Sequence, residues 1–264
     1  MYPIHVLVNK EYKLINKRVK YEEPCDGRLS STVPREGRVK FPPLTRQSNL
    51  VLEDKASFKK HIRYAFRILH IDNMPHVMKY GLVHNDSPFA SDSFVPIGDM
   101  SVMDARSTKQ LPDGSFLSEY IPFYFGPRSP MLYNIQNGNG ILTKKEPDEI
   151  VYCVIRIEDV INSDLHCVFT DGHALNNMSK FYSKSDLQRL DSLVKIEDVY
   201  ATYWFNQSPW DDRKRKKEAE LLFKDEIPPQ FIVGFLVYSE KALEKMISYG
   251  IPKDKIIVKP EYYY

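Results

Sequence analysis

Apolar residues in this chain come in short runs, and no long helical period joins them. YAFRILH (64–70) alternates and is aromatic, EIVYCVIRI (149–157) is rich in β-branched residues, and YIPFYF (120–125), Cys167–Thr170, Ala219–Phe223, Ile232–Tyr238 and Lys255–Lys259 repeat the pattern. Each reads as a strand, because a pleated surface suits such side chains and turn residues bound the runs. Helix signals are few. Asp72 or Asn73 can cap a helix that tolerates Pro75 in its first turn and stops at Gly81. Ser129-Pro130 opens a second, and Ser239 caps a third over Glu240–Tyr249, ending at Gly250. Residues 85–96, rich in Ser, Asp and Pro, read as a loop. With no regular βαβ alternation a parallel Rossmann sheet is excluded, and the expected class is α+β. There is no GxGxxG and no P-loop, and Gly138-Asn139-Gly140 is a turn, so a bound nucleotide needs an α+β cleft of another kind.

The 264 residues, 42% hydrophobic and 27% charged, suffice for a core. The formal net charge is only +2, so a nucleic-acid footprint must be local. Cys25, Cys153 and Cys167 form no close pair, which reads as reduced thiols in a cytoplasmic protein. The seven histidines show no metal-ligand spacing, so no metal is expected. Neither a signal peptide nor a membrane span is expected. Residues 1–55 are rich in Lys, Arg, Pro and Glu and read as an N-terminal extension, with a short strand at His5–Val8 and extended chain over Cys25–Leu44. The main domain is expected over 56–264.

Four stretches could carry chemistry. In DDRKRKKEAELLF (211–223), period two puts Ala219, Leu221 and Phe223 on one strand face and Glu218, Glu220 and Leu222 on the other. Glu220 is then either part of a solvated strand face or a carboxylate at a cleft rim, just after Arg213, Lys214, Arg215, Lys216 and Lys217. That basic run is a solubilising turn or helix end, or a phosphate contact. EYIPFYFGPRSPMLY (119–133) is a core strand with a capped helix after it, or an aromatic wall with Arg128 facing an anion. Arg67 shares a strand face with Ala65 and Leu69 and needs a partner or a ligand. In FTDGHA (169–174), Asp171 and His173 could pair, although Asp-Gly after a strand is mostly turn chemistry. Arg106, in the polar stretch GDMSVMDARSTK, reads by itself as a surface arginine.

These stretches resemble one family. RILHIDNMPHVMKYGLV (67–83), VPIGDMSVMDAR (95–106), EYIPFYFGPRSPMLYNI (119–135), FTDGHA (169–174) and RKRKKEAELLF (213–223) are similar, in order, to DarT, the DNA ADP-ribosyltransferase toxins of bacterial toxin–antitoxin pairs. The likeness covers about residues 64–264. It implies the ADP-ribosyltransferase (PARP-like) fold, two small, mainly antiparallel sheets forming a cleft for NAD. It implies Glu220 as the catalytic carboxylate and Arg106 as the active-site arginine. Arg67, Ile68, Leu69 and His84, with Arg106, fall where the family binds NAD. Arg213–Lys217 would hold single-stranded DNA, and a macrodomain-type, DarG-like antitoxin would accompany the enzyme. Many members carry His where this chain has Arg67, so thymine and guanine both stay open as the acceptor. The alternative is the same chemistry on RNA or protein.

Overall fold

The computed structural model describes residues 61–140 and 142–264. The expected strand at His5–Val8, the extended segment Cys25–Leu44, Cys25 itself and the 55/56 boundary lie outside the described residues. The strands are β1 (Tyr64–His70), β2 (Ile121–Tyr124), β3 (Ile150–Arg156), β4 (Cys167–Thr170), β5 (Phe181–Ser183), β6 (Glu220–Phe223), β7 (Ile232–Val237) and β8 (Ile256–Val258). The helices are α1 (Met74–Tyr80), α2 (Met100–Thr108), α3 (Pro130–Asn137), α4 (Ile157–Ile161), α5 (Leu190–Leu193), α6 (Ile196–Val199), α7 (Arg213–Lys217) and α8 (Glu240–Ser248). None of these helices is long and apolar enough to cross a membrane.

All eight strands join one sheet in the order β5-β4-β6-β2-β1-β3-β7-β8. Two separate sheets are expected from the resemblance; here they are two halves of a single sheet with a weak seam. β1 and β3 are in register from Tyr64↔Arg156 to His70↔Ile150, whereas β1 and β2 share only Phe66↔Tyr124. Pairing is antiparallel except between β7 and β8. The register carries one row across the seam, Glu220↔Tyr124↔Phe66↔Val154. Beyond Phe66 the β2-side edge of β1 has no ladder, and that gap is where a cleft can open.

Two apolar layers fix the strand faces. Ala65, Leu69, Phe123, Cys153, Leu221 and Phe235 pack on one side, and Phe66, Ile68, Tyr152, Val154 and Leu236 on the other. α8 closes the first layer with Ala242, Leu243 and Met246 buried, Ser239 accepting a capping hydrogen bond from the Ala242 N–H. Each such Leu or Met contributes roughly 1.5–3 kcal/mol by leaving water. α1 ends where expected: Gly81 has φ 81°, and a Cβ there would stand 2.0 Å from the Ile227 carbonyl oxygen. Asn73 precedes α1 without a side-chain cap. Its amide instead clamps Val95, donating to the carbonyl and accepting from the N–H at 2.8 Å each.

The turn after β2 is held from three directions. A Cβ on Gly126 would lie 1.9 Å from the Val199 carbonyl oxygen, so only glycine lets α6 approach. Arg128 has φ 53°, which costs a non-glycine residue about 1–2 kcal/mol. Its N–H donates to the Tyr152 hydroxyl oxygen at 3.1 Å, and the Tyr264 hydroxyl donates to its carbonyl at 2.6 Å. Its guanidinium lies 4.5 Å from the Tyr264 ring centroid. The C-terminal tyrosines therefore stabilise the strained turn. Tyr263 sits deeper, its hydroxyl shared between the Ile150 and Leu236 carbonyls at 3.0 Å each.

Candidate active site

Glu220 opens β6, and its residue is fully buried. A buried carboxylate needs charge-matched donors, because leaving one bare costs several kcal/mol. Two donors are present. Arg106 Nη1 donates to Oε2 at 2.9 Å, and the Ala174 N–H donates to Oε1 at 2.8 Å. The Glu220 N–H donates to Thr170 Oγ1 at 3.1 Å, which ties the head of β6 to the end of β4. The solvated-face reading of Glu220 is thereby corrected: the face is closed by Arg106 and by the loop after β4.

Arg106 reaches this site from a helix the sequence conceals. None of the residues of α2 is buried, so its sequence carries no apolar stripe. Asp99 caps it by accepting from the Ser101 N–H at 2.9 Å. Arg106 is no surface arginine; its side chain is 12% exposed and pairs with a carboxylate side chain 1% exposed.

Arg67 lies next to the seam. Its Nη1 donates to the Pro122 carbonyl at 2.9 Å, bridging β1 and β2 where the ladder fails. Burial lowers it to about 10, and the positive charge of Arg106 acts the same way. Arg67 Nε and Arg106 Nη2 are both buried donors without a partner among the described residues. Unpaired buried donors are costly, and two of them beside one cleft suit an anionic or polar ligand. Ile68 and Leu69 are buried, in opposite layers, so only their backbone can face a ligand. His84 is not beside Glu220. Its Nε2 contacts the Lys224 carbonyl at 2.8 Å, past the far end of β6, roughly 13 Å along the strand.

The basic run 213–217 is a short helix whose members divide. Lys217 is 1% exposed, and its Nζ donates to the Pro127 and Val199 carbonyls at 2.8 and 2.6 Å. Burial lowers its ammonium to about 7, with the charge of Arg128 adding to the effect. Its expected role as a DNA contact is corrected: the amine is enclosed and its hydrogen bonds are spent on backbone. Arg215 is also committed inward, to Asp171 at 2.8 Å and to Asp212 at 2.7 Å. Only Arg213, Lys214 and Lys216 keep cationic ends within reach of solvent. Near them stand exposed aromatics: Trp210 is 94% exposed, and Arg213 lies 5.7 Å from the Tyr203 ring centroid.

Arg215 has a further consequence. Asp171, which could have paired with His173, is instead taken by Arg215, and the His173 N–H donates to the Arg215 carbonyl at 2.9 Å. α7 thus fixes the loop that presents the Ala174 N–H to Glu220. That donor is invisible to reasoning about side chains; its only sequence signal is the Asp-Gly turn of FTDGHA. Of the two readings of 119–133, the core strand holds for β2, with Phe123 and Phe125 fully buried. Tyr124 is the exception, beside both Glu220 and Glu218. Burial raises its hydroxyl well above 10, and the two carboxylates push it the same way.

Residues 66–264 match the family model described as ssDNA thymidine ADP-ribosyltransferase, DarT. A DNA ADP-ribosyl transferase of Escherichia coli O127:H6 is 32% identical over 190 residues, 70% of this chain and 85% of that protein. A DNA ADP-ribosyl transferase–DNA ADP-ribosyl glycohydrolase fusion protein of Thermosipho africanus is 26% identical over 75% of this chain and 48% of its own length. Among solved structures, Thermus sp. 2.9 DarT in complex with ADP-ribosylated ssDNA has a TM-score of 0.65 and 28% identity, covering 76% of this chain and 96% of that one. The same protein with NAD+ gives a TM-score of 0.62, covering 77% and 98%. With a seamed α+β sheet, a buried Arg106–Glu220 pair and these matches, the chain belongs to the DarT family of ADP-ribosyltransferases.

Proposed function

We infer that this chain transfers ADP-ribose from NAD to a base of single-stranded DNA, through residues 56–264. One observation carries the reading: Glu220 is a buried carboxylate held by Arg106 and by the Ala174 N–H, in the one register row that crosses the seam between β2 and β1. Substitution at the anomeric carbon of a ribose passes through a state resembling an oxocarbenium ion. Glu220 would accept the hydrogen bond of the ribose 2′-hydroxyl and stabilise the developing positive charge in a dry site. Its rigidity matters, because a carboxylate already held by two donors needs no reorganisation as that charge forms.

The residues present fit NAD as a substrate. Arg106 Nη2 and Arg67 Nε supply unpaired buried donors for its polar and anionic groups. The open β1 edge at Arg67, Ile68 and Leu69 would offer backbone groups to a planar amide, and His84 would face the far part of the dinucleotide. Arg213, Lys214 and Lys216 would contact phosphates, and Trp210 would offer a surface for base stacking. A single strand presents its bases without the cost of unpairing. The family description favours thymine as acceptor, while Arg67 keeps guanine in the test.

The fused glycohydrolase of the Thermosipho africanus relative supports a toxin role, with a macrodomain-type antitoxin that removes the modification. A toxin acting on DNA would work in the cytoplasm and block replication. The reading is tested with labelled NAD offered together with a DNA oligonucleotide, RNA and protein lysate. Label on the oligonucleotide is expected; label confined to RNA or protein would overturn the choice of acceptor in favour of the alternative.

A further inference from the structure

Arg128, in the turn between β2 and α3, takes no part in the chemistry assigned to Glu220, yet the fold holds it at a cost. Its backbone is left-handed, at φ 53°, and strain of that kind in a side-chain-bearing residue gathers at ligand sites. The residue is half-buried. Its Nε is a buried donor without a hydrogen-bond partner, and no carboxylate pairs with its guanidinium among the described residues. The guanidinium lies instead against the Tyr264 ring, 4.5 Å from its centroid. An aromatic face fixes its position and leaves its charge uncompensated.

A second cation adjoins it. Lys217 Nζ donates to the Pro127 carbonyl at 2.8 Å, and that carbonyl shares a peptide group with the Arg128 N–H. Lys217 has no carboxylate partner among the described residues either. Two like charges in a partly dry turn repel, and a bound anion would remove that cost.

The turn stands beside the catalytic row. Tyr124 pairs with Glu220, and the Phe125 N–H donates to the Ala219 carbonyl at 3.2 Å. The chain from Tyr124 to Arg128 spans at most roughly 14 Å, so a strand with its acceptor base at Glu220 would pass within reach. A phosphate at Arg128 could belong to that strand or to NAD, and the surroundings favour the strand. Trp204 Nε1 donates to the Tyr264 hydroxyl at 2.6 Å, and Phe205 stacks on Trp204 with ring centroids 4.1 Å apart. Phe205 is exposed. A cation beside an exposed ring suits single-stranded nucleic acid, with a phosphate on the charge and a base on the ring.

We propose that Arg128 binds a backbone phosphate of the single strand beside the acceptor base, and that Phe205 stacks the adjoining base. This rests on the reading of the chain as a DNA ADP-ribosyltransferase.

The test uses the full chain and an oligonucleotide carrying one uncharged methylphosphonate linkage, moved in turn through the positions around the labelled base. Binding is read by fluorescence anisotropy and transfer by steady-state kinetics, for wild type, Arg128→Met and Arg128→Gly. Glycine accepts a positive φ, so Arg128→Gly removes the guanidinium and the backbone strain together. One linkage should weaken wild-type binding by roughly 10- to 100-fold, the range for losing a charged hydrogen bond. Both variants should bind the unmodified strand that much more weakly, ignore that one linkage and respond to the others as wild type does. Their slope of log K against log salt should fall by about 0.7, and KM for NAD should stay unchanged. Phe205→Ala should weaken binding by roughly 10-fold, as loss of one stacked base does, without changing the slope. A wild type indifferent to every linkage near the labelled base would overturn the assignment. So would Arg128 variants that bind like wild type, or that stay sensitive to the same linkage. A rise in KM for NAD with strand binding intact would place the phosphate on the dinucleotide and overturn it too. In each of those cases wild type still labels DNA; if it labels none, the acceptor reading itself falls, and this assignment with it.

Discussion

Arg106 on α2 and Glu220 at the head of β6, 114 residues apart in sequence, meet through a 2.9 Å hydrogen bond. The contact decides two things. It orients a buried carboxylate, and it ties a helix with no buried residue of its own to the sheet. Chemistry and local order are therefore coupled at one bond.

Separating these roles needs two variants. Glu220→Gln keeps the shape and removes the charge, so transfer should fall by on the order of 10²–10³ or more with little change in melting temperature. Arg106→Ala leaves the Glu220 carboxylate without its guanidinium, a loss of about 3–5 kcal/mol for a broken buried pair. Thermal melting of both variants checks this; an Arg106→Ala protein that melts with wild type would refute the structural half.

Lys217 should behave as a structural residue. Lys217→Met deprives two buried carbonyls, Pro127 and Val199, of their donor, at about 1–3 kcal/mol each. The pH sign follows from its lowered value, about 7 against an ordinary 10.5. Below pH 7 the buried ammonium is charged and its cost is complete. Between about 7 and 10.5 the unfolded chain binds the proton and the folded one does not, so wild type gains stability as pH rises. Urea melts of both proteins from pH 6 to 9 should show wild type gaining on Lys217→Met above about 7; a constant difference would contradict this.

The salt dependence of DNA binding distinguishes the outward from the inward members of α7. Replacing Lys214, exposed and outward, with Ala should reduce the slope of log K against log salt by about 0.7, as one lost phosphate contact on a single strand does. Lys217→Met should leave that slope unchanged. Fluorescence anisotropy with a labelled oligonucleotide reads both; equal slopes for wild type and Lys214→Ala would remove Lys214 from the interface.

Tyr263→Phe removes one hydroxyl shared by the Ile150 and Leu236 carbonyls on β3 and β7. Orphaning buried acceptors should cost about 1–3 kcal/mol and lower the melting temperature by several degrees. Melting of Tyr263→Phe at wild-type temperature would mean that the tail does not hold the sheet.

Strands were legible in the sequence because burial on both faces leaves dense apolar runs. Cys167–Thr170 keeps its expected bounds, and β3 differs from its expected range by one residue at each end. The short helices α4 to α6 and strand β5 were missed, since a turn or two of chain between longer elements carries no period. α2 was missed because it buries nothing. In the site, spacing alone left Glu220 on a polar face, since the alternation of a strand names two faces and not what covers them. The division of the basic run was equally hidden. Lys217 and Lys214 are the same residue type three positions apart, and only the approach of Val199 to Gly126 encloses one of them.

Mass spectrometry of nucleosides, released from single-stranded DNA after incubation with NAD and the protein, tests the central claim most directly. The account predicts a single ADP-ribosylated base with wild type and none with Glu220→Gln. Unmodified DNA with wild type, or the same modified nucleoside formed equally fast by Glu220→Gln, would contradict it.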